Sequence, residues 1–415
     1  MKLVESINLN NIRGDITGGI TAAIVALPFA LAMGLASGAG AEAGLYGAII
    51  TGFFAAIFGG TPSQVSGPTG PMTIVMSLIV TKYLAIYPDT GLALAFFTVF
   101  LAGIFQICFG LLKLGKYINL MPHAVISGFM TGIGVIIIAL QLPQILGFYD
   151  IKGSTLNIFS ELGNVSQLFS NFGAISLSIM TLIIIYLLPK RITRIVPSPL
   201  IALTFGTLIL LILPEYFASN SEPYSKMILG DIPTGLPSFQ LPAIELSIIV
   251  DLIISALTLA ILGSIDSLLT SLVADEITRT HHDSNKELIG QGIGNTLSGL
   301  FGGLPGAGAT MRTMANVKAG GFTPISGSLH AILLLIIVLG GSKFASHIPL
   351  AVLGAILVKV GTDIIDWNFL KKISKIPKVS VVMMTTVLII TVFYNLMVAV
   401  AVGLVMASLV LLQRI

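Results

Sequence analysis

The sequence predicts an all-α polytopic membrane protein, with fourteen transmembrane segments arranged as two inverted repeats of seven and with discontinuous third and tenth helices. Three observations predict it. The chain is 55% apolar and 9% charged, with a mean hydropathy of +1.00. Apolar stretches of spanning length recur along nearly all of it. Segments seven apart resemble each other.

Composition comes first. Soluble domains carry about 25% charged residues, and a soluble chain this apolar could not cover its own surface. No soluble domain is expected. The formal net charge of +3 is small and dispersed, so nucleic-acid binding is not expected. The single cysteine, Cys108, cannot form an intramolecular disulfide and reads as a small buried hydrophobe in the run 105–112. The N-terminus, MKLVESINLNNIRGD, lacks the apolar core of a cleavable signal. The first helix is therefore expected to direct insertion.

A membrane-spanning helix needs roughly 20 apolar residues. Breaks at charges, Pro and Gly divide the chain into segments at 16–36, 44–58, 68–82, 92–112, 122–141, 173–189 and 197–213. A second set follows at 246–274, 287–303, 308–319, 323–341, 348–365, 378–393 and 395–412. The third and tenth are too short for a full span. With the N-terminus inside and strict alternation, fifteen of the 21 Lys and Arg residues fall in cytoplasmic segments. Four fall outside: Lys82, Lys152, Lys226 and Lys343. The positive-inside rule produces this bias, and it predicts fourteen spans with both termini cytoplasmic.

The repeat pairs MPHAVISGFMTGIG (121–134) with IPLAVLGAILVKVG (348–361), matching at Pro122/Pro349, Ala124/Ala351, Val125/Val352 and Gly134/Gly361. GGTP (59–62) echoes GGLP (302–305) just before segments three and ten. An odd offset of seven turns one half upside down relative to the other. Inverted repeats with broken helices are the architecture of many secondary transporters.

The broken stretches are GGTPSQVSGPTGPMTIVMSLIV (59–80) and GGLPGAGATMRTMANV (302–317). Non-helical backbone survives at membrane depth only where protein or a water-filled cavity satisfies it. Each reads as extended backbone leading into a half-helix, starting near Thr69 and near Ala309. Helix starts carry unpaired N–H groups and partial positive charge. Two of them facing each other would bind an anion at the midplane, with Thr69 and Thr310 adding hydroxyl donors. The bland alternative is a pair of extramembrane turns.

Segment eight carries Asp266 in the apolar run LAILGSIDSLLTSLVAD, where an ionisable group is expensive and a functional candidate. Thr270 lies four residues on, on the same face. Carboxylate, hydroxyl and carbonyl oxygens suit a small cation such as sodium; proton coupling through Asp266 is the alternative. Arg312 either holds the anion or pairs with Asp266. Lys359, Asp363 and Asp366 read as a cluster at a helix end. Glu42 is expected in the first outside loop, and His281 and His282 in a solvated one. No catalytic motif is present, so the chain is not expected to be an enzyme or to need a cofactor other than the coupling ion.

At the level of whole motifs the chain resembles the SulP family of sulfate-permease-like anion transporters. The resemblance rests on residues 11–49, SGPTGPM (66–72), GSIDSLLTSLVAD (263–275), NKELIGQGIGN (285–295), GAGATMRTMANVKAGG (306–321) and DIIDW (363–367). Within the family it is most similar to the cyanobacterial sodium-dependent bicarbonate transporters. The resemblance implies a single transmembrane domain, 1–415. Residues 1–120 and 246–345 would form a core that moves as an elevator, and 121–245 and 346–415 a gate. It places the anion near Thr69, Gly70, Ala309, Thr310 and Arg312, and sodium near Asp266, Thr270 and the Gly308 backbone. Family members usually continue into a cytoplasmic STAS domain after the last helix; this sequence stops at LVLLQRI, so that domain is expected to be either absent or removed. A homodimer is a further expectation. Arg312 departs from the bicarbonate subgroup, which tends to a small residue there.

The leading expectation is sodium-coupled bicarbonate uptake across a bacterial plasma membrane. Alternatives are a proton-coupled symporter of sulfate or another oxyanion and, from another class, an anion channel. A channel has no need for a buried carboxylate beside its pore.

Overall fold

The structure, a computed structural model, describes residues 11–118, 122–149, 151, 155–163, 171–193, 196–214, 224–230, 239, 248–394, 398–399, 402–403 and 405–406. Besides short connecting helices such as Thr155–Gly163, the helices of the first half are α1 (Ile12–Ala36), α2 (Ala41–Phe58), α3 (Gly70–Ile86), α4 (Gly91–Leu111), α5 (His123–Leu146), α6 (Phe172–Leu187) and α7 (Ser198–Ile212). Those of the second are α8 (Ile249–Thr278), α9 (Ser284–Leu300), α10 (Thr310–Lys318), α11 (Pro324–Ala345), α12 (Leu350–Ile364) and α13 (Lys378–Phe393). They match the first thirteen expected segments in order. The fourteenth, 395–412, lies almost wholly outside the described residues.

By length and composition α1, α2, α4, α5 and α8 can each cross a membrane, and five shorter apolar helices accompany them. Polarity is distributed inside out. Ile179, Ile183, Ile212, Phe205, Ile336 and Leu339 are exposed, whereas Asp15, Gln106, Glu287, Asn295 and Arg312 are buried. An apolar exterior suits lipid, and the polar groups find partners within the protein.

Helix starts follow local chemistry. Pro122, Pro197, Pro349 and Pro377 stand just before α5, α7, α12 and α13 in extended conformation. A proline there ends the preceding chain without removing a needed N–H. Pro122 and Pro349 are the repeat-matched pair. The matched glycines also meet: a Cβ on Gly134 would come within 2.6 Å of the Gly361 carbonyl oxygen, and one on Gly361 within 2.8 Å of the Gly134 oxygen. The repeat thus holds α5 and α12 in backbone contact, as small residues do at membrane helix crossings.

The packing falls into two groups. In one, α4 and α2 pack on α9, α2 and α1 on α11, and α8 on α4. In the other, α5 packs on α12 and α13, and α6 on α12 and α7. Between the groups, α1 touches α12 and α7, and α3 touches α5.

Two carboxylates brace the first group from opposite halves. Asp15 of α1 accepts from the Phe322 and Thr323 amides at 2.9 and 3.0 Å and from the Thr323 hydroxyl at 2.8 Å. Asp251 of α8 accepts from Lys82 Nζ at 2.5 Å and Tyr83 Oη at 3.1 Å. Asp15 ties the start of α1 to the joint after α10, and Asp251 ties the start of α8 to the C-terminal half of α3. Lys82 accordingly lies within α3, not in a loop.

Other expectations need correction. Cys108 is exposed on α4, so it faces outward from the bundle. Glu42 lies in the first turn of α2. His282 is not solvated: its side chain is 6% exposed, Nδ1 meets Asp275 at 2.7 Å and Nε2 meets the Ser284 hydroxyl at 2.9 Å. It joins α8 to α9. His281 is exposed as expected. Lys359 and Asp363 form an ion pair one turn apart, and Asp366 caps the short helix Trp367–Lys371, which places the cluster at a helix end.

Gly134→Ala and Gly361→Ala should each drive α5 from α12 and cost about 1–3 kcal/mol. Gly340→Ala, where an added Cβ meets nothing within 4 Å, serves as control. Thermal unfolding in detergent checks this; melting temperatures equal to the control would refute the backbone contact.

Candidate functional site

The two broken segments meet as a two-stranded antiparallel bridge. β1 (Ser66–Gly67) pairs with β2 (Ala307–Gly308), with Ser66 opposite Gly308 and Gly67 opposite Ala307. The Ala309 amide extends the pairing to the Val65 carbonyl at 2.9 Å. Each strand then turns into a helix. Thr69 is the N-cap of α3 and Ala309 that of α10, both extended and both without a side-chain cap. The leading N–H groups of both helices are thus uncapped by side chains, beginning at Gly70 and at Thr310. Both helix starts are seated at the crossing of the chain, where their dipoles concentrate positive potential.

One face of α8 holds this bridge. The Thr69 hydroxyl donates to Asp266 Oδ2 at 2.7 Å. Ser267 Oγ accepts the Gly308 amide at 3.1 Å. Thr270 Oγ1 donates to the Gly308 carbonyl at 2.9 Å and lies 2.8 Å from the Thr310 hydroxyl. Ser271 reaches Gln64 Oε1 at 3.1 Å and Thr61 Oγ1 at 2.7 Å. The expected residues therefore fall in two hydrogen-bonded sets held by one face of α8, Thr69 with Asp266 and both Gly308 and Thr310 with Thr270, with Gly70 and Ala309 at the two helix starts. On successive turns of α8 these sets present carboxylate, hydroxyl and carbonyl oxygens, ligand types suited to a hard cation. A Cβ on Gly308 would strike Gln64 Nε2 at 2.4 Å and press the Gln64 amide off its bonds to Glu287 and Ser271.

Arg312 is 3% exposed. It forms no ion pair with Asp266: Nη2 donates to the Pro68 carbonyl, and Nη1 lies 2.6 Å from where a Cβ on Gly67 would stand. The expected pairing alternative is thus not realised. The guanidinium meets the peptide just ahead of Thr69.

A second face, on α9, was not singled out in the sequence. Glu287, Gln291 and Asn295 lie four residues apart on one side. Glu287 Oε2 accepts the Gly60 and Thr61 amides, each at 2.9 Å. Its Oε1 accepts from Gln64 Nε2 at 2.6 Å and Gln291 Nε2 at 2.8 Å. Gln291 also donates to Ser66 Oγ at 2.5 Å. Asn295 bonds both the amide and the carbonyl of Gly306, at 2.7 and 2.9 Å, and donates to Gln106 Oε1 at 2.7 Å. The signal was available: three polar residues at helical spacing in an otherwise apolar and glycine-rich segment.

Two spaces flank the helix starts at the seam between the helix groups. A narrow cleft lined by Pro71, Val125, Phe129, Leu262, Asp266 and Val387 lies beside α3. A cavity of ≈ 390 Å³ lies beside α10, between Thr21, Val25 and Phe29 of α1, Pro197–Pro199, and Met311, Met314 and Lys318.

A polytopic bundle with two half-helix starts joined across an inverted repeat is the architecture of a membrane carrier. The chain belongs to the sulfate permease family, whose model matches residues 12–387, and it is a transporter, not an enzyme. It is 48% identical over 416 residues to the bicarbonate transporter BicA of Synechocystis sp., covering all of this chain and 72% of that protein. It is 34% identical over 373 residues to the putative sulfate transporter YvdB of Bacillus subtilis, covering 89% of this chain and 68% of that one. The fold superposes on the transmembrane domain of a cyanobacterial BicA with a TM-score of 0.86 at 48% identity, covering 96% of this chain and all of that one. It also superposes on the murine anion transporter Slc26a9 in its inward-facing state, with a TM-score of 0.85 at 21% identity, covering 99% and 70%; that likeness concerns the fold alone.

Glu287→Leu should leave four buried donors without an acceptor and lower stability by at least about 2 kcal/mol. Glu276→Leu, at an exposed position, should not. Thermal unfolding compares them; an unshifted melting temperature for Glu287→Leu would show that the first broken segment does not depend on this carboxylate.

Proposed function

We propose that the chain imports bicarbonate across a bacterial plasma membrane, coupled to sodium, by an elevator motion. The observation that carries this is the contact between the two helix starts and the oxygen cluster of α8. Thr69 bonds Asp266, and Thr310 bonds Thr270. An anion resting on the Gly70 and Thr310 N–H groups, with the Thr69 and Thr310 hydroxyls beside it, lies next to a cation held by Asp266, Thr270 and the Gly308 carbonyl. Each ion then offsets the cost of burying the other, which is what coupling requires: the affinity for either rises when the other is bound. Arg312 adds positive charge from beneath Pro68 without neutralising Asp266.

The 48% identity to two proteins named bicarbonate transporters supports the choice of anion. The two helix groups support the core and gate division. α1–α4 and α8–α11 would move as the core, with the site, against α5–α7 and α12–α13 as the gate. The cavity beside α10 would be the route to the cytoplasm, with both termini on that side.

One observation favours a second reading, a proton-coupled sulfate or oxyanion symporter. Arg312 supplies a charge fit for a divalent anion, Asp266 can carry the coupled proton, and some relatives are named putative sulfate transporters.

Uptake into proteoliposomes separates the two. Wild type should accumulate labelled bicarbonate under an inward sodium gradient, and Asp266→Asn should lose this at least about a hundredfold, as expected when a buried charged ligand is removed. Sodium-driven uptake that survives Asp266→Asn would overturn the cation site. Sulfate uptake driven by a proton gradient alone would establish the second reading. Arg312→Gln should weaken bicarbonate affinity about tenfold if its charge acts on the anion; unchanged affinity and selectivity would remove it from the site.

A further inference from the structure

The α2 side of β1 carries two buried groups with unpartnered nitrogens, and the function proposed above leaves one of them, His330, without a role. His330 of α11 is fully buried. Neither ring nitrogen has a hydrogen-bond partner in the protein; the Gly327 carbonyl, one turn back, approaches the ring without the geometry of a bond. A Cβ on Gly52 of α2 would meet His330 Cε1 at 3.1 Å, the Ser66 carbonyl oxygen at 3.2 Å and His330 Nδ1 at 3.3 Å. The imidazole and that carbonyl therefore flank one point on α2.

One turn earlier on α2 stands Ala48. A Cβ on Gly67 would meet Arg312 Nη1 at 2.6 Å and the Ala48 Cα at 3.1 Å. Nη1 also has no partner in the protein. Guanidinium and imidazole are thus neighbours along β1, one helical turn apart. Leaving a buried donor or acceptor unmade costs about 1–3 kcal/mol, so two such groups one helical turn apart along β1 call for a shared partner. An anion there would face the Ser66 carbonyl oxygen, which repels it. Water fits: it accepts from Nη1–H and donates to an imidazole nitrogen and to the carbonyl, within the two to four partners a buried water takes.

We propose that His330 is a positioning residue for Arg312. A water molecule shared by His330, the Ser66 carbonyl and Nη1 steadies the guanidinium against the Pro68 carbonyl, so that its charge stands beneath the Thr69 end of the anion site. The proposal rests on the anion site described above. A Cβ at 52 would press on the imidazole and one at 67 on the guanidinium, and His330 acts on the substrate only through Arg312.

The test is bicarbonate uptake kinetics in proteoliposomes. His330→Leu should raise KM about tenfold with Vmax within about twofold, as loss of one hydrogen bond to a charged group predicts. His330→Gln, whose amide still reaches the water, should stay near wild type. In an Arg312→Gln background His330→Leu should change KM no further. An unchanged KM in His330→Leu, equal damage by Leu and Gln, or full additivity with Arg312→Gln each overturns the proposal. If His330→Leu fails to insert, Gly52→Ala, which presses on the imidazole, enters the same cycle with the same expected non-additivity. Thr310→Val tests the anion site itself: a KM unaffected by it sinks that reading, whereas the His330–Arg312 cycle fails alone if only the positioning role is wrong.

Discussion

Backbone that leaves the helix at membrane depth must have its N–H and C=O groups satisfied by protein, and everything distinctive in this structure follows from that constraint. The chain breaks two helices at 59–69 and 302–309. Part of the demand is met by pairing the two breaks with each other through Ser66–Gly67 and Ala307–Gly308. The remainder falls on two long helices. From α8, Asp266, Ser267, Thr270 and Ser271 reach the strands and the helix starts. From α9, Glu287, Gln291 and Asn295 hold the entry to each break. Buried polar groups are costly one at a time and specific when they bond one another. This network accordingly fixes where the two half-helices begin.

The inverted repeat makes such a solution economical. One kind of break, used twice in opposite orientation, places two helix starts at one level with their unpaired N–H groups at the crossing. The same symmetry sets α5 and α12 in contact through Gly134 and Gly361, and Asp15 and Asp251 act as braces at the starts of α1 and α8. Under the proposed function the α8 hydroxyls and carboxylate serve twice, as supports for the breaks and as ligands for the ion. That dual use explains why a change at Asp266 is expected to affect coupling without abolishing the fold, since Glu287 and Asn295 anchor the segments independently.

Much of this was legible in the sequence. Thirteen segments appear within a few residues of their expected positions, because apolar runs bounded by Pro, Gly and charge leave the chain little choice. The breaks were legible because Gly and Pro recur at repeat-related places. The Asp266–Thr270 pairing was legible from helical spacing. What escaped was three-dimensional. The Glu287–Gln291–Asn295 face reads locally as a helix start near a charged loop, and its purpose appears only when segments over two hundred residues away fold against it. Cys108 was assigned to the interior because a soluble protein hides such residues; in a bundle bathed in lipid the apolar side faces out. His282 sits in a charged stretch, yet two hydrogen bonds within the α8–α9 joint keep it from water. Arg312 bonds a carbonyl instead of the nearest carboxylate because β1 stands between α10 and α2 and offers Pro68 first.

The central claim is that the two half-helix starts form one anion site beside a cation. A density map of the protein in sodium bicarbonate, compared with one in choline chloride, tests it most directly. The account predicts a planar density within hydrogen-bond distance of the Gly70 and Thr310 amides, with a second, spherical density among Asp266, Thr270 and the Gly308 carbonyl. Bicarbonate density elsewhere in the protein, with both helix starts unchanged between the two conditions, would contradict it.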